Sequence, residues 1–321
     1  MITNIPQSGD FEKIANNCLV QSFNIIFESD KKIGDNYDSS LRKHVWKYSQ
    51  EKLNTAVVLI HQGIEAFMKA SICHTTPLLL IDNKRTDWPA LPNQRDKEFN
   101  DFYTLSADSL LHTFFATIQT KANEQFINHI QEIRKVRNQI VHSISSTELT
   151  SSYLIEKILV TYLIFKGKDK WWHEQLASYS NHPLTGFHDI STELAQFAER
   201  LDYVLGSIGK AKMARHFSVN LKGRSYFCPK CLKNYERGAA LDYSSKWAFL
   251  TPNTKEAHVL TCINCTEQHV VFRQQCPHDY CKGNVLFRLP EDDSGFCLTC
   301  KEDIYWYSDE HLQAGENEGS I

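Results

Sequence analysis

The stretch Ala56-Val57-Val58-Leu59-Ile60-His61-Gln62-Gly63-Ile64-Glu65-Ala66-Phe67-Met68-Lys69-Ala70 decides how the first two-thirds of the chain is read. From Gln50 to Ser71 apolar side chains fall at Leu53, Val57, Ile60, Ile64, Phe67 and Met68. This is the period of an amphipathic helix rather than the alternation of a strand. His61, Glu65 and Lys69 follow one another at i, i+4 beside that stripe, as a solvated flank or as the lining of a cleft.

The helical period recurs outward from this segment. Thr104 or Ser106 can cap a helix through Leu110, Leu111, Phe114, Phe115 and Ile118. Another runs from about Asn123 to His142, with Phe126, Ile130, Ile133, Val136 and Ile140 as its ridge. Ser152 to Phe165 is apolar on most faces, which places it centrally. A further helix begins near Ser191, with Glu193 in its first turn, and continues to about His216. Residues 11–29 and 39–48 add two more. Between 75 and 104 lies a long excursion with Thr76-Pro77, Trp88-Pro89 and Leu91-Pro92, and such a loop is expected to be functional or mobile.

Charge excludes one class of partner contact. The net charge is −3, with 24 basic and 24 acidic side chains in residues 1–216 and 11 and 14 in residues 217–321. No dense Lys/Arg run can bind nucleic acid through phosphates alone, so any such contact needs a patch made by folding or dimerisation. The apolar stretch Tyr153 to Phe165 is broken by Glu156 and Lys157, so no membrane span is expected. The N-terminus lacks a basic region followed by an apolar core, so no secretory signal is read and a cytoplasmic location is expected.

Composition changes near Phe217. Eight of the ten cysteines follow it, as Cys228/Cys231, Cys262/Cys265, Cys276/Cys281 and Cys297/Cys300. Three pairs are C-x2-C and one is C-x4-C, with 30 residues between the pairs of the first set and 15 between those of the second. Two tight turns each give two thiolates to one tetrahedral ion, so the spacing predicts two zinc ribbons and two structural zinc ions per chain. A cytosolic chain makes disulfides the weaker reading. Pairing in sequence order is expected; a nested order, or His278 in place of Cys281, stays open. Zinc can serve here as a staple for a small core, with protein or oligomer contacts. Alternatively Tyr226, Trp247, Phe272 and Trp306 could stack on bases. The local acidic excess favours the staple.

The fold class expected is mainly α. A helical domain spans 1–216, a linker 217–225, two small zinc-ribbon β modules 226–272 and 273–308, and a flexible acidic tail 309–321.

The segment Arg137-Asn138-Gln139-Ile140-Val141-His142 has the composition of a ribonuclease site. Arginine answers a phosphodiester charge, and a histidine titrating near neutrality can move the proton of a ribose 2′-hydroxyl. A second R-x4-H, Arg273 to His278, is interrupted by Cys276 and Pro277 and is not helical. The bland reading makes Arg137 a surface group paired with Glu132 or Asp108, and His142 a helix cap. On an ideal helix five residues rise about 7.5 Å and rotate about 140°, so Arg137 and His142 of one chain point apart. Asn138 and His142, at i and i+4, share a face. Two copies about a two-fold axis would bring one Arg to the other's His. A helix break near Val141 would be the other route.

An all-α bundle with Arg137, Asn138 and His142 as Arg-Asn-x-x-x-His on a late helix, preceded by the 56–70 helix, resembles the HEPN superfamily of toxin and defence ribonucleases over about residues 40–170. The Arg-Asn-x-x-x-His form is matched in full; the helix around Glu65 matches in character only. The resemblance implies a HEPN-like helical bundle and a homodimeric, metal-independent endoribonuclease with no catalytic metal. It implies an RNA substrate, a toxin or anti-phage defence setting, and an antitoxin or defence-system partner protein. His142 would act as base, Arg137 as phosphorane stabiliser and Asn138 as orienting residue, with Glu65 joining the site. Two rival readings remain. One is a non-catalytic HEPN-type scaffold whose ribbons bind a protein or nucleic acid; the other is a zinc-ribbon DNA-binding regulator.

Overall fold

A computed structural model describes residues 1–89, 94–118, 124–142, 148–180, 190–237, 245–290 and 293–306. The expected tail, the Leu91-Pro92 step and Asn123 lie outside the described residues, as do the side chains of Ser191 and Glu193. The chain divides into two compact units, Met1–Ser178 and Tyr179–Ile321. The composition change at 217–225 therefore falls inside the second unit. Cysteine content marks where the thiol turns begin, whereas the division follows packing, which ties the helix after residue 190 to the cysteine region.

The first unit is helical. Its helices are α1 (Ser8–Asn36), α2 (Ser39–Tyr48), α3 (Gln50–Thr75), α4 (Ala107–Thr117), α5 (Glu124–His142), α6 (Ser151–Phe165) and α7 (Lys170–Ser180), the last crossing the division. α1 is longer than the expected 11–29, and α7 has no counterpart in the sequence reading. The Ser106 hydroxyl accepts from the Ser109 N–H, which settles the α4 cap in favour of Ser106 over Thr104.

α3 is the hub, packed chiefly against α1 and also against α4, α5 and α6. Leu53, Ala56, Val57, Ile60, Ile64 and Phe67 are all buried, and so are Leu19, Phe23 and Ile26 of α1. Gly63 permits the close approach: a Cβ there would meet Leu19 Cγ at 3.0 Å and the Ala15 carbonyl oxygen at 3.3 Å. By length and composition α3 could cross a membrane, but 67% of its most apolar window is buried inside the unit. Its apolarity is thus used in the core. The ring of Phe67 stacks on Phe165 at 5.1 Å, and Phe126 meets Phe114 and Phe165 at 5.5 and 5.4 Å, closing the α3–α6 core.

The second unit begins with α8 (Ile190–Ile208). It stops short of the expected His216 because Gly209 adopts a left-handed φ of 82°. A single turn, α9 (Lys210–Met213), follows. Strands β3 (Ser225–Tyr226), β4 (Ala248–Leu250), β5 (Val259–Cys262) and β6 (Gln268–Val270) form an antiparallel sheet in that order. Strands β7 (Leu286–Arg288), β8 (Ser294–Cys297) and β9 (Asp303–Tyr305) form a second. Between β3 and β4 runs α10 (Pro229–Arg237), which packs on α8. Pro229 at its first position was a readable start signal. Two short strands, β1 (Ile2–Thr3) and β2 (Lys97–Glu98), pair in parallel and tie the N-terminus to the 75–104 excursion.

Candidate functional site

α5 carries two faces with different roles. His129, Ile130, Ile133 and Val136 are buried against the bundle. On the opposite face Gln131, Lys135, Asn138 and His142 follow at i, i+4, i+7 and i+11, so they line up along the helix. With Arg134 and Gln139 they line a shallow depression of about 530 Å³ with no carboxylate in its lining. His142 and Val141 are exposed, and α5 stays helical through His142 without a break near Val141.

Arg137 belongs to neither face. It is half-buried, absent from the depression's lining, and donates from Nη1 to Asn138 Oδ1 at 2.9 Å. The carboxylates that might have neutralised it are engaged elsewhere. Asp108 pairs with Arg134 at 2.5 Å, and Glu132 takes Lys157 and the Tyr153 hydroxyl. Among the described residues, then, Arg137 has no ion-pair partner.

Glu65 and His61 lie on α3. His61 is buried, not solvated, and its Nδ1 stands 3.9 Å from Glu65 Oε2. Burial holds the His61 imidazole below its ordinary value; Glu65 opposes this, while Arg137 and Arg134 add to it. The charges of Glu65, Arg137 and Arg134 thus all act on His61, where α3 packs against α5. Within one chain Asn138 and His142 share the depression, Arg137 reaches it through its bond to Asn138, and Glu65 stands on α3 beside His61. The sequence reading missed Arg134, Lys135 and Gln131, although the i+4, i+7 spacing from Gln131 to His142 was there to be read.

A second histidine of α5 is structural. His129 Nε2 lies 2.9 Å from Thr161 Oγ1, which itself donates to the Lys157 carbonyl, so the imidazole is the donor. Burial, with nearby Lys157, lowers its pKa to about 4 and keeps it neutral.

The cysteines gather in sequence order. Cys228, Cys231, Cys262 and Cys265 form one group and Cys276, Cys281, Cys297 and Cys300 another, each with all sulfurs within 4.8 Å and able to hold a metal ion. The second group extends into a small core with Leu286, Ile304 and Trp306. The nested order is excluded, and Cys281 keeps its place, since His278 Nε2 turns instead to the Asp303 carbonyl at 3.1 Å. Backbone N–H groups two residues on point at the sulfurs: Asn264 to Cys262 at 3.3 Å, Gly283 to Cys281 at 3.3 Å and Thr299 to Cys297 at 3.4 Å. Such donors favour thiolate over thiol. Burial by itself pushes the Cys228 and Cys262 thiols up. A cation at the centre removes that conflict.

Of the four aromatics singled out for stacking, Tyr226 and Trp247 are core residues, each 4% exposed, whereas Phe272 is 46% exposed. Trp306 is half-buried. Comparison with protein-family models, with curated proteins and with solved structures finds no match to this chain.

Proposed function

We propose that this chain is a metal-independent endoribonuclease that acts as a homodimer through the solvent face of α5. The observation that carries the reading is the row of Lys135, Asn138 and His142 in a depression whose lining holds no carboxylate residue, with Arg137 beside it and free of any ion pair among the described residues, while Arg134 in the same lining is paired with Asp108. A phosphodiester needs such a surface, and a net charge of −3 with no dense Lys/Arg run means that it must be local.

His142 takes the proton of the ribose 2′-hydroxyl, whose oxygen attacks the adjacent phosphorus. The bond to the 5′-oxygen breaks, and a second acid, for which the other copy's His142 is the candidate, protonates the leaving oxygen. Arg137 stabilises the charge on the phosphorane, and Asn138 holds Arg137 in place. Glu65 positions this set through the α3–α5 seam. The products are a 2′,3′-cyclic phosphate and a 5′-hydroxyl. This chemistry, and the likeness to HEPN ribonucleases, fit a cytoplasmic toxin or anti-phage effector restrained by a partner protein.

Zinc is the metal we assign to the two cysteine groups. A tetrahedron with Zn–S bonds of about 2.3 Å has edges of about 3.8 Å. The Sγ–Sγ separations include Cys228–Cys265 at 3.5 Å and Cys231–Cys262 at 3.9 Å in the first group, and Cys276–Cys300 at 3.9 Å and Cys281–Cys297 at 3.8 Å in the second, with all others within 4.8 Å. Zinc would hold the ribbons together and take no part in cleavage.

The test is cleavage of single-stranded RNA, but not of the matching DNA, by purified zinc-replete protein without Mg²⁺. A 2′-O-methyl group at the cut site should abolish it. Ends bearing 3′-hydroxyls and 5′-phosphates would overturn the mechanism. The divergence of Arg137 and His142 on one helix favours a second reading, a non-catalytic scaffold, if no RNA is cleaved.

A further inference from the structure

The two small sheets are joined where the Phe227 N–H, just beyond β3, donates to the Leu298 carbonyl, just beyond β8, at 2.9 Å. They are joined again at a single bridge beside their edge strands, past which the edges part. Phe272, just beyond β6, exchanges both backbone hydrogen bonds with Leu286 of β7, at 2.8 and 3.0 Å. An antiparallel ladder continued from that bridge would pair Val270 with Arg288 and Gln268 with Pro290. It does not form. Instead a cleft of about 760 Å³ opens there, lined by both edge strands and by Asp293.

The rims of the cleft carry unused backbone groups. β6 bonds to β5 through alternate residues, as Val271 N–H to the His258 carbonyl and the Glu267 carbonyl from Cys262 N–H show. Gln268 and Val270 therefore turn their N–H and C=O groups outward. Val285 and Leu289, which flank β7, bond toward β8 in the same register as Phe287, which leaves Arg288 facing out. Among the described residues, none of Gln268, Val270 and Arg288 has a backbone partner on its outward side. Apart from Gln268, side chains in the cleft are apolar or in contact with a neighbour. Val270 is 68% exposed, Phe287 packs on His269 at 5.8 Å, and Arg288 is bound to Asp293.

We propose that this cleft seats one extended peptide strand of a partner protein, neutral or basic in charge. Inserted between β6 and β7, the strand would satisfy both edges and join the two sheets into one. The exposed Val270 and Phe272 would pack against its alternate side chains. A polyanion fits poorly, since the one arginine lining the cleft is already bound to Asp293. This inference stands apart from the ribonuclease reading.

The experiment pans a phage-displayed random heptapeptide library against the full-length, zinc-loaded chain. Selected peptides are then synthesised and their Kd measured by fluorescence anisotropy. Val270→Pro removes an outward N–H and spares the pairing with β5, and it should weaken binding at least about tenfold. Val270→Glu, at an exposed side chain, serves if the proline variant loses zinc. N-methylation of either alternate set of peptide residues should weaken binding, since one set bonds β6 and the other β7; a peptide that tolerates one set fully would sit on a single edge and overturn the insertion. Failure to select peptides, or peptides indifferent to both variants, would overturn the proposal. So would binding of fluorescent oligouridylate in the cleft, or concentration-dependent self-association of the chain that Val270→Pro removes.

Discussion

Arg137 donates from Nη1 to Asn138 Oδ1 at 2.9 Å and to no carboxylate among the described residues. A neutral amide fixes the guanidinium without cancelling its charge. Replacing Asn138 by Asp keeps the shape and supplies the missing anion. Asn138→Asp should therefore lower RNA cleavage by about 10²-fold, the scale for losing one charge-stabilising donor. Asn138→Ala, which leaves the charge in place, should lose less. Arg137→Lys should not restore activity, because lysine lacks the planar fork that grips two phosphate oxygens. An Asn138→Asp enzyme as active as the wild type would remove Arg137 from the mechanism.

His129 makes the first unit sensitive to acid. Its folded pKa of about 4 lies below the ordinary 6.5, so between those values the unfolded chain binds a proton that the folded chain refuses. Its stabilisation is whole above about pH 6.5 and is lost as pH falls toward 4, amounting to about 3 kcal/mol. Urea denaturation at pH 7 and pH 4.5 should show this loss in the wild type. His129→Gln, which can still donate to Thr161 but cannot take a proton, should lose about 2–3 kcal/mol less over that interval. Parallel pH slopes in the two proteins would contradict the assignment.

Metal removal should act on one unit. Elemental analysis should return two zinc ions per chain, one for each cysteine group. Cys228→Ser and Cys297→Ser should each lower zinc content and solubility, since structural zinc supplies on the order of 10 kcal/mol of folding energy. The first unit holds only Cys18 and Cys73, so chelation should leave most helical circular dichroism intact. Collapse of the helical signal together with zinc loss would show that the units do not fold separately.

Gly63 tests the packing at the hub. Alanine there gains helix propensity of about 1 kcal/mol over glycine, but its Cβ meets Leu19 Cγ at 3.0 Å. The two effects should nearly cancel in Gly63→Ala. Valine adds volume with no room to relax and should cost about 1–3 kcal/mol in thermal or urea unfolding. A neutral Gly63→Val would mean that α1 and α3 are less closely packed than described.

What could be read from the sequence follows from range. The 3.6 period placed α3, α5 and α6 within a few residues because each buries a continuous stripe. The thiol spacing placed both cysteine groups because each pair sits on a short local turn. The burial of His61 was not legible, since it depends on α5 crossing α3, a contact far apart in sequence. The end of α8 at Gly209 and the start of α10 at Pro229 were legible in principle, because glycine and proline act locally. The union of α8 with the cysteine region was not, because nothing in the period of a helix says which neighbour it will cover.

The last prediction concerns assembly. Asn138 and His142 share one face of α5, whereas Arg137 is absent from the lining of that face and diverges from His142 by about 140° on the helix. One chain therefore cannot aim both Arg137 and His142 at the same phosphate from an unbroken helix. A homodimer can, if one copy's arginine serves the other's histidine. Arg137→Ala and His142→Ala chains, each inactive alone, should recover activity when refolded together. Random pairing makes half the dimers mixed, and each of these has one intact composite site, so recovery is at most about a quarter of wild type. A missing acid from the second His142 would lower it further, yet it should stay above either variant alone. Sedimentation of the mixture must show the heterodimer. Full activity from a demonstrated monomer, or no recovery from a demonstrated heterodimer, would refute the shared site.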